Sequence, residues 1–354
     1  MGFDSRYCSA KFGCGWRANK FDVRGFYDPG SIRAALDIDI SMAVALGTYN
    51  YVDNDWTGEA FSVKDLEWHA GKLWVFCSDG KLYRRESAGS YTYIATTPDT
   101  PAGYLGRLMS FGDDLFVAAR KASGGKAAVF RLDGTSLVLE VESSYNDQRP
   151  LYDGGSYLYW QGFTFEDGVD KLWARRDGAG SWTWDTGPTP ATYGWVGQRS
   201  LFGGKRLAGY SDYYSQGSPI TKSSVGGSVF PTSGLRAGEF DSKLWLPYMG
   251  DAPLLKLASL ETYAGGWTKT DSLSDTSTYR FNSCAGGTDF LLVLGQKRIG
   301  LNWAFAAFHF DGTDLSEFYV SGELAPTIID HVADGSGNWL YVATEKKIYR
   351  IPPP

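Results

Sequence analysis

The stretch that decides the fold is residues 65–98, DLEWHAGKLWVFCSDGKLYRRESAGSYTYIATTP. It alternates runs of β-branched and aromatic residues with short polar turns, the pattern typical of antiparallel strands. The Asp79-Gly80 pair is a strong hairpin signal, because both residues accept the positive φ angles of a two-residue turn. The predicted strands are Asp65–His69, Lys72–Cys77, Lys81–Glu86 and Ser90–Thr96. One such sheet cannot bury both of its faces, so we expect the unit to recur.

The second strand of this unit returns along the chain with a leucine near its centre. The pattern reads GKLWV, DDLFV, SYLYW, KRLAG, SKLWL, DFLLV and NWLYV. Its central residues are Leu73, Leu115, Leu158, Leu207, Leu244, Leu291 and Leu340. Their spacing is close to the roughly 40–50 residues of propeller blades. The repeat therefore predicts an all-β fold, a seven-bladed β-propeller of four-stranded antiparallel blades.

The seventh repeat has no fourth strand of its own. Ile351 is followed by three prolines, which cannot donate hydrogen bonds to a ladder. The segment Gly47–Trp56, GTYNYVDNDW, resembles the fourth strand of the first unit. We expect it to close the last blade, since closure removes exposed sheet edges. The predicted domains are an N-terminal arm, residues 1–46, and a propeller, residues 47–354.

The arm lies outside the repeat and is rich in glycine, arginine and aromatic residues. It either covers the propeller's own surface or docks on another protein subunit. The aromatic residues that would make this contact are Tyr7, Phe12, Trp16, Phe26 and Tyr27. Cys8 and Cys14 are close enough in sequence to form a disulfide, but no second Cys/His pair suggests a metal.

Composition limits the partners. The formal net charge is −6, and lysine and arginine are not clustered, which argues against a nucleic-acid partner. No run of about 18 apolar residues predicts a membrane span. The first residues lack the basic and apolar pattern of a secretory signal, so we expect synthesis in the cytoplasm. No cofactor-binding motif is present, and we predict neither cofactor nor metal.

Catalytic candidates are few. Propeller glycosidases carry paired carboxylates on strands near the central channel, and glycoside hydrolysis needs such a pair. The nominees are Glu67 in DLEW and Glu239 in AGEF, both on predicted first strands. Whether the chain is an enzyme stays open, with a non-enzymatic role favoured.

Aromatic residues in predicted long loops are the candidate binding groups. Apolar rings in loops need a reason to be there, and stacking on a sugar or a partner supplies one. The predicted long loops include Phe163–Asp170, and those with the nominated residues are Gly187–Gly197, Tyr210–Pro219 and Gln296–Trp303. The nominated residues are Trp195, Tyr213, Tyr214 and Trp303.

The repeats resemble seven-bladed propellers of the kelch and BNR types. The likeness rests on the G-x-L-W/Y/F-V second strands and on hairpins with Asp-Gly turns and tryptophan. Glycine pairs at 154–155, 203–204 and 286–287 match the kelch double glycine, while other blades lack it. The stretch RRDGAGSW resembles a sialidase aspartate box only in its Asp, Ser and Trp. These likenesses imply architecture and not activity, since propellers host many functions.

A second likeness is to propellers of tailed-phage virions, through the aromatic leading arm and the degenerate blades. It implies a virion tail or decoration component that docks through residues 1–46 and contacts the host surface. We therefore expect a structural or interaction propeller whose partners are other protein subunits. The alternatives are a carbohydrate-binding propeller, with a surface glycan as ligand, and a glycoside hydrolase or lyase.

Overall fold

Seven antiparallel sheets follow one another along the described part of the chain. The computed structural model places them all in the unit Tyr51–Pro354. Neighbouring strands in these sheets are also consecutive in sequence, as in a meander, except for one added strand in sheet 5. The structure describes residues 62–98, 107–120, 126–144, 151–153, 155–187, 201–202, 205–208, 212–215, 221–225, 237–249, 254–270, 274–275, 278–287, 290–324, 327–337, 339–345, 347–352 and 354.

The first three sheets each have four strands. Sheet 1 contains β1 (Val63–His69), β2 (Lys72–Cys77), β3 (Lys81–Ser87) and β4 (Ser90–Thr96). Sheet 2 contains β5 (Arg107–Phe111), β6 (Asp114–Arg120), β7 (Ala127–Asp133) and β8 (Ser136–Glu142). Sheet 3 contains β9 (Leu151–Asp153), β10 (Leu158–Glu166), β11 (Val169–Arg176) and β12 (Trp182–Asp185).

Sheet 4 is built of the shortest strands, and sheet 5 has an extra one. Sheet 4 contains β13 (Leu201–Phe202), β14 (Lys205–Ala208), β15 (Asp212–Ser215) and β16 (Thr221–Ser224). Sheet 5 contains β17 (Gly238–Phe240), β18 (Lys243–Met249), β19 (Leu254–Leu260), β20 (Trp267–Lys269) and β21 (Ser274–Asp275). The added strand β21 pairs with β19, beyond the end of β20.

Sheet 6 has the longest strands, and sheet 7 has three described strands. Sheet 6 contains β22 (Tyr279–Gly286), β23 (Leu291–Ile299), β24 (Asn302–Phe310) and β25 (Leu315–Leu324). Sheet 7 contains β26 (Ile328–Ala333), β27 (Leu340–Thr344) and β28 (Ile348–Ile351). The segment expected to complete it, Gly47–Trp56, lies outside the described residues.

The second strands of sheets 1, 2 and 6 are buried on both faces because each of these sheets packs against two others. In β2, Leu73 and Val75 pack against sheet 7, while Trp74 and Phe76 pack against sheet 2. Successive side chains of a strand point to opposite faces, so the apolar run serves both neighbours. The same alternation joins sheet 2 to sheet 3, sheet 5 to sheet 6 and sheet 6 to sheet 7. This explains why the second strands read as continuous apolar segments.

The last sheet of the chain packs against the first. Tyr341 and Ala343 of β27 share a core with Leu73 and Val75 of β2. The all-β prediction and the four-stranded antiparallel sheets are confirmed. The side chains of β13, β14 and β15 in sheet 4 lie outside the described ones, so the packing of sheet 3 on sheet 4 is not described.

Two segments predicted as long loops are hairpins instead. Strands β10 and β11 meet at a two-residue turn, Asp167-Gly168, and β23 and β24 meet at Gly300-Leu301. Positive φ angles at Gly168 (77°) and Gly300 (61°) make these tight turns possible. Both hairpins connect the second and third strands of their sheets, and their strands are longer than those of the other sheets.

Candidate functional site

Asp65 of β1 joins the first strands of sheets 1 and 2. Its Oδ2 accepts the backbone N–H of Leu108 at 2.5 Å, and its Oδ1 lies 3.1 Å from Nη1 of Arg107. The carboxylate is fully buried. Burying a charge is expensive unless it is paired and hydrogen-bonded, and here it is both.

Glu67 and His69 continue this contact along β1. Side chains two residues apart lie on one face of a strand, so Asp65, Glu67 and His69 all face β5; we call these three residues the first-strand ladder. Glu67 Oε1 accepts the backbone N–H of Ser110 at 3.2 Å. His69 Nδ1 lies 2.8 Å from Ser110 Oγ. The ladder thus fixes the register of two neighbouring sheets.

Sheet 7 repeats the arrangement toward sheet 1. Asp330 Oδ2 of β26 accepts the backbone N–H of Leu66 at 3.0 Å, and both residues are buried. The register of the first strand shifts just before Asp65 and again just before Asp330, which marks a bulge in each. A bulge bends the strand and re-aims a side chain, here toward the next sheet. Sheet 6 has the same bulge before Ser283, with a shorter side chain.

Partial burial lowers the pKa of His69, although the nearby carboxylates of Asp114 and Asp113 act in the opposite direction. The imidazole is therefore neutral at physiological pH and hydrogen-bonded to a hydroxyl. Nucleophilic catalysis needs in addition a group that orients the base and donors that hold an oxyanion. The observed hydrogen bond of the pair joins β1 to β5 and so links sheet 1 to sheet 2.

Glu239, the second carboxylate nominee, lies on β17 and is exposed. The backbone of Glu239 lies at a close approach between strands β17 and β22. A Cβ added to Gly286 would overlap the carbonyl oxygen of Glu239, and one added to Gly238 would lie 2.8 Å from the backbone nitrogen of Gly286. The glycines allow contact between the two first strands. The structure thus places the two nominees on the first strands of different sheets, Glu67 in sheet 1 and Glu239 in sheet 5.

A cluster of charges around Glu140 joins sheets 2 and 3. Glu140 accepts hydrogen bonds from Nε of Arg131 at 2.8 Å and from Nε1 of Trp182 at 3.0 Å. Arg176, which is nearly buried, contacts Glu140 at 3.4 Å and Asp114 at 3.3 Å. Burial raises the pKa of Glu140, but the hydrogen bonds from Arg131 and Trp182 outweigh it and the net pKa is lowered. We call these five residues the Glu140 cluster.

The hairpin of β23 and β24 carries apolar and basic side chains at its end. Leu301 is 90% exposed and Ile299 is 47% exposed. Arg298 donates from Nε to the carbonyl oxygen of Gly300 at 3.1 Å, which stabilises the turn.

Trp303 lies in strand β24 and not in a loop, which corrects the prediction. The guanidinium carbon of Arg280 lies 4.1 Å from the centre of the Trp303 ring, within the range of a cation–π contact. One face of this ring is therefore covered by Arg280, which leaves less of it for stacking on a sugar.

The hairpin of β10 and β11 is the acidic counterpart of the hairpin of β23 and β24. Phe165 is 64% exposed and Val169 is 47% exposed. Glu166, Asp167 and Asp170 are exposed beside them, and only Glu166 forms a described ion pair, with Lys171. Among the described residues, sheets 3 and 6 thus present two hairpin ends of similar apolar character and opposite charge.

Tyr213 and Tyr214 lie in strand β15, so the prediction that they belong to a loop is wrong for both. Tyr213 pairs with Leu207 of β14 and Ser223 of β16 within sheet 4. Trp195, Cys8, Cys14 and the arm residues Tyr7, Phe12, Trp16, Phe26 and Tyr27 lie outside the described residues.

Sequence reasoning overlooked Asp330, the Glu140 cluster and the exposed apolar ends of both hairpins. The Asp167-Gly168 pair was the available signal for one hairpin, since Asp-Gly marks a two-residue turn.

Cys77 and Cys284 are buried free thiols. Within the described ranges, no group of three or more His, Cys, Asp or Glu side chains is placed to hold a metal ion. In the same ranges, no helix has the length and apolar character to cross a membrane.

No protein-family model and no curated protein sequence matches the chain. Solved structures do match it. The fold is propeller-like. YCF48, solved bound to D1 peptide, aligns with a TM-score of 0.60 and 12% identity over 86% of this chain and 96% of its own.

Two further structures are extracellular domains from B. thetaiotaomicron. The extracellular domain of the putative hybrid two component system BT4673 aligns with a TM-score of 0.55 and 12% identity, over 85% of this chain. A second structure, of the putative one component system BT4673, gives a TM-score of 0.52 and 14% identity over 86% of this chain. The match covers only 40% of each of these two chains. At such identities the similarity shows the fold alone.

Proposed function

We propose that this chain is a non-enzymatic interaction propeller of kelch- or BNR-like type. In this proposal the seven sheets form one ring, and Gly47–Trp56 supplies the fourth strand of sheet 7. The packing of β27 on β2 supports the ring, since it brings the two ends of the repeat array together.

The main support for the proposal is that the acidic residues on the first strands are hydrogen-bonded to neighbouring sheets. A general acid or nucleophile must reach the substrate, and an engaged carboxylate is poorly placed to do so. Asp65, Glu67 and Asp330 each accept a backbone N–H from a neighbouring sheet. These residues therefore explain the stability of the sheet array and do not form a described catalytic pair.

The binding role is supported by the surface and by one similar structure. YCF48 holds a peptide in its solved structure, and a propeller of this chain's size offers a comparable surface. Exposed apolar side chains that occur together, as Leu301 with Ile299 and Phe165 with Val169 do, favour a contact surface more than single ones would.

The arm, residues 1–46, would dock the propeller on other protein subunits through Tyr7, Phe12, Trp16, Phe26 and Tyr27. Large aromatic side chains supply much of the binding energy at protein interfaces. Such an arrangement fits a tail or decoration component of a phage virion, made in the cytoplasm and then assembled into particles.

The arm is tested by light scattering on the full chain and on a chain that starts at Gly47, at micromolar concentration and physiological salt. We expect the full chain to form the larger assembly and the shortened chain to stay folded. A full chain with Trp16→Ala and Phe12→Ala should lose the assembly as well. If all three have the same mass, the arm is not a docking element. Mass spectrometry of purified phage particles from the source strain tests the virion assignment separately.

A further inference from the structure

The ends of two hairpins are complementary in charge and alike in apolar character. We define the basic tip as Arg280, Lys297, Arg298, Ile299 and Leu301, and the acidic tip as Phe165, Glu166, Asp167, Val169 and Asp170. Lys297 pairs with Glu317 and Glu166 pairs with Lys171, so each tip keeps two further charges of one sign outside these pairs. The chain as a whole has a net charge of −6, which makes the basic tip a local exception.

Both tips project beyond the part of each sheet that packs against its neighbours. In β23 the pattern runs from five buried residues, starting at Leu291, to exposed Ile299. In β10 it likewise runs from five buried residues, starting at Leu158, to exposed Glu166. Exposed apolar side chains on a convex end are costly in water unless a partner covers them.

The two tips occupy the same position in their sheets, the connection between the second and third strands. In a propeller all such connections lie on one face of the ring. If the seven sheets form the proposed ring, two copies that meet face to face about a two-fold axis midway between the tips place the basic tip of each copy against the acidic tip of the other. A two-fold interface needs this self-complementarity, and the chain supplies both halves of it.

We propose that a second copy of this chain binds through these tips, so that Leu301 and Ile299 of one copy pack on Phe165 and Val169 of the other. Arg298 and Arg280 face the carboxylates of Asp167 and Asp170 across the contact. Contacts of this small size bury little area, so the affinity is in the micromolar range or weaker. This self-association is separate from docking through the arm.

Sedimentation velocity on the full chain tests the contact, from about 1 to about 200 μM and at low and high salt, because weak interfaces require high concentration. We expect the mass to rise with concentration and the association to weaken at high salt, which screens exposed charges. Leu301→Asp should raise the dissociation constant at least about tenfold, because it places a like charge against the acidic tip. Leu139→Asp is the matched control, since Leu139 is 45% exposed on β8, away from both tips.

Charge reversal separates the tips from any other contact. Arg298→Glu and Asp170→Arg should each prevent the contact between tips when present alone, because each brings like charges together. An equimolar mixture of the two variants should associate again, since every reversed side chain then meets an opposite charge. Association through the arm would persist in each variant alone and would not depend on mixing. A wild-type chain that stays monomeric at the highest concentration, or variants that associate like wild type, would overturn the proposal.

Discussion

The carboxylate of Asp330 accepts the backbone N–H of Leu66 at 3.0 Å, although the two residues are 264 positions apart in the chain. This hydrogen bond joins the last sheet to the first in a region where both residues are buried. Asp65, next to Leu66, makes the corresponding bond to Leu108 of sheet 2. The contacts of sheet 7 with sheet 1 and of sheet 1 with sheet 2 thus share the same interaction, an aspartate that accepts a backbone N–H of the next sheet.

Asp330→Ala should lower the free energy of unfolding by about 1–3 kcal/mol, because a buried N–H loses its charged acceptor. Asp330→Asn keeps an acceptor oxygen and should lose less. Urea denaturation measures the difference. Glu261→Ala, at an exposed site after β19, is the control and should change little. Equal stability of Asp330→Ala and Glu261→Ala would show that the bond contributes nothing.

Gly286→Ala should destabilise the protein by about 1–3 kcal/mol or more, as expected for overpacking a tight site. The added Cβ would meet the backbone carbonyl of Glu239, which cannot move without shifting β17. Gly322→Ala is the matched control, because a Cβ there has open space around it. The melting temperatures of the two variants should differ clearly. A Gly286→Ala protein as stable as Gly322→Ala would contradict the close approach of β17 and β22.

Glu67→Ala and Glu239→Ala should differ in stability, because only Glu67 makes a described bond to a neighbouring sheet. We expect Glu67→Ala to lose about 1.5–3 kcal/mol, the usual contribution of a hydrogen bond to a charged group. Glu239→Ala should lie close to wild type. Thermal unfolding followed by circular dichroism compares them. If neither variant loses stability but both lose a glycosidase activity, the catalytic alternative replaces the proposed function.

The Glu140 cluster predicts a pH dependence of stability. The folded-state pKa of Glu140 lies below its ordinary value of 4.5, so its carboxylate stabilises the fold above that pH. The contribution is lost as the pH falls through the folded-state pKa. Glu140→Gln should therefore be less stable than wild type at pH 7, and the gap should narrow below pH 4.5. A gap that stays constant with pH would assign the loss to packing instead of charge.

The sheets could be predicted because their signals are local. The turn at Asp79-Gly80 and the phase of Leu73 define the unit, and the recurrence of the leucine gives the remaining sheets. The hairpins of sheets 3 and 6 were missed because β10 and β23 continue past the buried part of the sheet. Polar residues such as Lys297 and Arg298 there look like a loop, although ladder pairing continues to Ile299.

The polar links could not be predicted because they depend on which sheets become neighbours. Glu67 looks like any acid near a propeller channel, and its bond to Ser110 exists only once β5 lies beside β1. Arg176 and Glu140 are far apart in sequence and meet only when sheet 3 packs on sheet 2. No short sequence pattern around these residues predicts which side chain or backbone group each one will bind.

The packing of sheet 7 on sheet 1 has a consequence for how the protein is made. During synthesis, the face of β2 formed by Leu73 and Val75 emerges long before Tyr341 and Ala343 can cover it. At roughly 5–20 residues per second, about 270 residues of translation leave that face open for roughly 13–54 seconds. Until then the growing chain exposes an apolar sheet surface, which a chaperone can bind. Ribosome-bound chains that stop short of β27 should therefore be the most prone to aggregate.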